Sequence, residues 1–171
     1  MADDLLVELA ARLGERSLAA GIHVATVESC TGGLVGHVIT EVPGSSTWYS
    51  GGYVTYSNEL KQSAVGVPID VLLAHGAVSA QTAMAMATGG RERTGADLAV
   101  AVTGIAGPDG GTDAKPVGLT YVAVADAFGL AVKRFVWTGD RSENKRLSAV
   151  AALELLLERV EAAAPMASAD R

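Results

Sequence analysis

A single cysteine, Cys30, stands among 171 residues, so no intramolecular disulfide can form. Histidine is nearly as scarce. His23, His37 and His75 have no metal-ligand spacing, and neither HExxH nor CxxC occurs, so no metal site is expected. Aromatic side chains make up 5% of a chain that is 49% hydrophobic, which leaves Ala, Val and Leu to build the core. Trp48 and Tyr49 read as core or interface residues, because no basic residues interleave with them. Positive charge is the minority sign, 13 Lys plus Arg against 19 Asp plus Glu, for a net −6 with no basic cluster. Nucleic-acid binding needs concentrated positive charge, so that class is excluded, whereas a pocket for one small anion is not. Long apolar runs are missing as well: 97–104 falls far short of the roughly 20 residues that span a membrane. The start, Met1-Ala2-Asp3-Asp4, is acidic where a signal peptide is basic and then apolar. The expectation is a soluble, cytoplasmic chain of one domain, residues 1–161, followed by a disordered tail at 162–171.

What is present is Ala, Val and Leu with 20 glycines, the composition of helices packed on a sheet. Leu5, Leu6, Leu9 and Leu13 recur at helical spacing, and Gly21 supplies a stop, predicting a helix over 3–20. Ile22–Val27 reads as a buried strand and Leu34–Thr40 as a helix. Trp48–Tyr56 reads as a strand with a bulge or close backbone approach at Gly51-Gly52. Two short helices follow, at 58–65 and 69–75, then one capped by Ser79 and running to about Thr94. Asp97–Thr103 is a near-continuous apolar run, of the kind that parallel strands buried on both faces show. After a glycine-rich loop, 104–118, come a hairpin of strands 119–125 and 131–138 and a helix opened by Asp140 with Glu143 as a capping box. The order predicts an α/β fold, a layered sandwich on a mixed sheet. Strand order is not readable from it.

Four segments hold chemistry-bearing residues. Ser29-Cys30-Thr31-Gly32-Gly33 places hydroxyls and a thiol between a strand and a helix, where free N–H groups and the helix dipole favour an anion or a developing oxyanion. Ser29 or Thr31 can equally serve as a helix cap. Cys30 is either a rival nucleophile, activated by the helix start, or a small buried hydrophobe. In Tyr56-Ser57-Asn58-Glu59-Leu60-Lys61, tyrosine and lysine can reach one sheet edge. A lysine in a partly dry cleft is a general base toward serine, while a solvated lysine is the ordinary alternative. The loop opening at Thr103-Gly104 matches no dinucleotide or phosphate-loop pattern, yet its glycines admit a close ligand. Arg141, at the start of the last helix, can clamp a phosphate or carboxylate.

Taken together, Glu28-Ser-Cys-Thr-Gly-Gly33, Pro43-Gly-Ser-Ser46, Tyr56-Ser-Asn-Glu59 with Lys61, His75-Gly-Ala-Val-Ser79 and Thr103-Gly-Ile-Ala-Gly-Pro108 through Lys115-Pro-Val-Gly118 resemble the CinA C-terminal domain family, from about residue 5 to residue 160. The resemblance implies a three-layer α/β/α sandwich on a mixed, mostly parallel sheet. Stand-alone members of the family include amidohydrolases that convert nicotinamide mononucleotide to nicotinate mononucleotide and ammonia without a metal or other cofactor, in pyridine nucleotide recycling. It further implies Ser29 as nucleophile, Lys61 as base and Tyr56 as a proton-transfer partner. Thr31, Gly32, Gly33, Ser46, Asn58, Thr103, Gly104 and Arg141 are the expected substrate contacts, Arg141 on the phosphate. Between Ser29 and Ser46 the choice of nucleophile stays open, with Ser29 preferred for the helix start behind it. The expected partners are a small nucleotide and other copies of the chain, with no nucleic acid and no membrane. The competing reading is a non-catalytic module that binds a nucleotide or docks a partner. Larger members carry a further N-terminal domain associated with nucleotide pyrophosphatase activity, and that activity is not expected of these residues.

Overall fold

Asp3 accepts hydrogen bonds from the N–H groups of Leu5 (3.0 Å) and Leu6 (3.4 Å), opening α1 (Asp4–Ala20), which Gly21 ends in the left-handed region at φ 66°. The computed structural model describes residues 3–167. Strands β1 (Val24–Glu28), β2 (Tyr49–Val54), β3 (Leu98–Gly104), β4 (Leu119–Asp126) and β5 (Gly129–Val136) form one sheet in the order β2-β1-β3-β4-β5. Helices α2 (Leu34–Thr40), α3 (Asn58–Val65), α4 (Ile69–His75), α5 (Ala80–Thr94) and α6 (Arg141–Ala167) complete the chain. The expected mixed sheet is there, with parallel pairing (β1 with β2 and β3) and antiparallel pairing (β3 with β4, β4 with β5) in equal share. The expected hairpin supplies one of the antiparallel pairs. Helix α6 continues past residue 162, where a tail was expected, and residues 168–171 of that tail lie outside those described.

The layers follow from burial. On one face α1, α2 and α6 cover the sheet through Leu13, Ile39, Leu153 and Leu156, and Trp48 packs against Gly14, where a Cβ would come 2.8 Å from the indole ring. On the other face α5 presses Met86 and Ala87 onto Val27, Ala101 and Ala123. Glycines inside a helix cost about 1 kcal/mol each relative to alanine. Gly90 repays this in proximity, since a Cβ there would meet Val27 at 2.2 Å. The irregularity expected at Gly51-Gly52 takes both forms. Val24 pairs with Tyr49 and Ala25 with Gly51, leaving Ser50 as the extra residue, and a Cβ on Gly52 would lie 2.4 Å from the Thr26 carbonyl oxygen.

Strand β1 is central among the parallel strands. The chain leaves it toward β2 on one side, then crosses to β3 on the other. In open α/β sheets ligands settle at such a switch, outside the C-terminal ends of the strands. Glu28 pairs with Val54 and with Val102, so those ends meet at one sheet edge, where Ser29, Tyr56 and Gly104 emerge.

Candidate active site

The turn after β1 is held by a carboxylate. Glu28 is buried and accepts four hydrogen bonds: from the Thr31 hydroxyl (2.6 Å) and from the N–H groups of Gly33 (3.0 Å), Val35 (3.1 Å) and Gly36 (2.8 Å). The start of α2 is therefore filled by the protein's own anion, which corrects the expectation that it faces a substrate anion. The Gly32 N–H is also spent, on the Ser29 carbonyl at 3.0 Å. What Glu28 leaves free of its grip are the N–H groups of Cys30 and Thr31, the two that directly follow Ser29.

Lys61 reaches this turn from α3, a helix that Ser57 caps by accepting from the Leu60 N–H at 3.0 Å. Its Nζ lies 3.1 Å from Ser29 Oγ and donates to the Thr55 carbonyl at 2.7 Å, with the side chain only 1% exposed. Burial pulls its pKa below the ordinary lysine range. The contacts agree with that direction: an ammonium has three protons to place, and this site offers one carbonyl and one hydroxyl. A neutral amine donates to Thr55 and turns its lone pair toward Ser29.

A cleft of about 280 Å³ opens beside this pair. Ser29, Cys30, Tyr56, Asn58, Lys61, Thr103, Gly104 and Arg141 line it, so the structure brings together most of the expected site residues. Glycine is required at position 104, because a Cβ would approach Thr120 Oγ1 at 2.7 Å and the Leu119 carbonyl oxygen at 2.8 Å. Arg141, at the start of α6 behind its Asp140 cap, donates to the Gly107 carbonyl (2.7 Å) and to the Tyr56 hydroxyl (3.1 Å). Its guanidinium has no carboxylate partner among the described residues. Cys30 is buried, and desolvation pushes its thiol up to about 12, so no thiolate nucleophile forms there near neutral pH.

Several expected contacts fall elsewhere. Thr31, Gly32 and Gly33 shape the turn and do not line the cleft, the Thr31 hydroxyl and the Gly32 and Gly33 N–H groups being committed to Glu28 and Ser29. Thr103 spends its only hydroxyl proton on the Ala77 carbonyl at 2.7 Å, so it does not donate to an oxyanion in this arrangement. Ser46 sits in the turn Ser45–Thr47 before β2, at the opposite sheet edge. The five residues from Val24 to Ser29 put that edge roughly 16 Å away at the usual strand rise, so Ser46 does not share Lys61 with Ser29 in this protomer. Reading the sequence alone also missed residues: Glu28, Thr55, and Lys145, whose Nζ would stand 3.8 Å from a Cβ on Gly32. The signal for Lys145 was its position four residues after Arg141, on the same helix face. Among the described residues no group of His, Cys, Asp or Glu is arranged to hold a metal, and no helix is long and apolar enough to cross a membrane.

An α/β sandwich that presents a buried amine to a serine hydroxyl at a strand-to-helix turn defines the class of protein. The chain belongs to the CinA C-terminal domain family, which residues 6–160 match. It is 44% identical over 160 residues to the Escherichia coli K12 protein named nicotinamide-nucleotide amidohydrolase PncC, covering 93% of this chain and 97% of that one. It is 51% identical over 140 residues to a CinA-like protein of Geobacter sulfurreducens, covering 82% of this chain but 34% of that protein. The chain thus spans about a third of the length of the CinA-like relatives it matches. The crystal structure of the competence/damage inducible protein CihA from Agrobacterium tumefaciens superposes with a TM-score of 0.90 at 41% identity, covering 92% of this chain and 97% of that one.

Proposed function

We propose that this protein hydrolyses the carboxamide of nicotinamide mononucleotide, releasing ammonia and nicotinate mononucleotide, with Ser29 as nucleophile and Lys61 as base. The observation that carries the proposal is the 3.1 Å approach of the buried Lys61 amine to Ser29 Oγ. The name of the E. coli relative supports the substrate. Neutral Lys61, steered by the Thr55 carbonyl, takes the Ser29 proton as Oγ attacks the carboxamide carbon. The Cys30 N–H, which directly follows Ser29 at the cleft, is the donor for the developing oxyanion; one such donor typically contributes about 3–4 kcal/mol. The Lys61 ammonium then protonates the departing nitrogen, the C–N bond breaks and ammonia leaves. Water attacks the acyl-serine as Lys61 accepts its proton, and Lys61 returns that proton to Ser29 Oγ as the ester bond breaks and nicotinate mononucleotide leaves. Tyr56, held by Arg141, is the second proton-transfer group, and Arg141 receives the phosphate. In this reading the enzyme needs no metal, is a homo-oligomer, and works on a free nucleotide in the cytoplasm, in pyridine nucleotide recycling.

The test is ammonia release by the purified protein beside Lys61→Met. Release by the native protein and loss in the variant is the expected result. Nucleotide binding without release from the native protein would instead assign a non-catalytic binding module.

A further inference from the structure

Besides Lys61, two charged side chains of opposite sign line the cleft, Arg141 and Asp109. Asp109 is the sole carboxylate there. It is exposed, and it makes no hydrogen bond or ion pair among the described residues, whereas nearby Asp140 is engaged in capping α6 at 2.9 Å. The loop carrying Asp109 is pinned. Ile105 and Gly118 join its base (2.7 Å), Asn144 holds the Ala106 carbonyl (3.0 Å), and Arg141 holds the Gly107 carbonyl (2.7 Å). Asp109 follows Gly107 by two residues, so one cleft is lined both by a carboxylate with no partner among the described residues and by a guanidinium with no carboxylate partner. Neither charge neutralises the other by contact.

A nicotinamide nucleotide is itself dipolar. Its N-glycosylated ring nitrogen carries a permanent positive charge and its phosphate is anionic. The carboxamide must reach Ser29, which brings the charged ring into the cleft that Asp109 lines. Resting on the amidohydrolase reading above, we infer that Asp109 is a specificity-determining residue that selects the cationic ring, while Arg141 takes the anionic end. The ordinary attraction between an exposed carboxylate and a cation at contact distance corresponds to about a three- to tenfold preference, weakened by salt.

The test compares two ligands, nicotinamide mononucleotide and its benzamide C-nucleotide, in which carbon replaces the ring nitrogen and the charge is lost. Binding is measured by calorimetry in a Ser29→Ala background, with and without Asp109→Asn, beside ammonia release by the native enzyme. Asp109→Asn should weaken the cationic nucleotide about three- to tenfold and leave the neutral one within about twofold, and Asp109→Glu should restore the difference. Equal effects on both ligands, or none on either, overturn the assignment while native ammonia release leaves the hydrolase reading standing. If neither nucleotide binds and none is hydrolysed, both fall.

Discussion

Lys61→Met replaces a buried amine with an apolar side chain of similar length, and its effect on stability should depend on pH in a defined way. Burial holds the Lys61 pKa in the folded protein below its unfolded value of about 10.4. Between those two values the unfolded chain binds a proton that the folded chain does not. Native stability must therefore rise with pH across that window, at up to about 1.4 kcal/mol per pH unit, and level off above it. Below the window both states carry the proton and the folded protein bears the full cost of a buried ammonium. The methionine variant has no such group. It also leaves the Thr55 carbonyl without its 2.7 Å donor, a pH-independent loss of about 1–3 kcal/mol. The diagnostic quantity is thus the difference in slope and not the offset. Urea unfolding of both proteins from about pH 7 to about pH 10 measures it. A native stability that gains steadily on that of the variant as pH rises is expected. Parallel curves would refute a buried, neutral-leaning lysine. The native kcat should climb through the same titration, because the base is the unprotonated amine.

Glu28→Ala strands the donors of Thr31, Gly33, Val35 and Gly36 in a buried turn, and should cost about 3–5 kcal/mol, or roughly 10 °C in Tm. A loss below about 1 kcal/mol in urea unfolding would contradict the capping role. With its thiol pushed up to about 12, Cys30 should resist iodoacetamide near neutral pH, leaving ammonia release intact; rapid inactivation would return the thiol to the mechanism. Arg141→Met should raise KM for nicotinamide mononucleotide about ten- to a hundredfold, the value of a charge-assisted contact, with a far smaller change for nicotinamide riboside, which lacks the phosphate. Equal changes for the two substrates would remove Arg141 from the phosphate.

Most helices and strands were legible because their signals are local. Gly21 and Ser79 terminate and cap where their chemistry directs, and Leu34–Thr40 and Asn58–Val65 keep their expected bounds. Strand order was not legible, since Val24–Glu28 and Leu98–Gly104 are both mostly apolar and either could be central. The site was legible as a set of residue types but not as an arrangement. Ser29 and Lys61 stood out by chemistry, yet a lysine 32 residues away reads as solvated until the fold buries it. Glu28 stands in the Glu28–Gly33 motif, but a carboxylate at a strand end has no pattern that reveals a capping role. Its role appears only when α2 turns its N–H groups back onto it. Ser46 failed for the converse reason: a serine-rich turn resembles a site in sequence, and sheet direction alone sends it to the far edge.

The central claim is that Ser29 attacks an amide under the control of Lys61. Ammonia release from nicotinamide mononucleotide, measured for the native protein beside Ser29→Ala with both confirmed as folded, tests it most directly. Release by the native protein and a fall of more than about a thousandfold in the variant are expected, as loss of a catalytic nucleophile produces. Release that survives at a comparable rate in Ser29→Ala would contradict it.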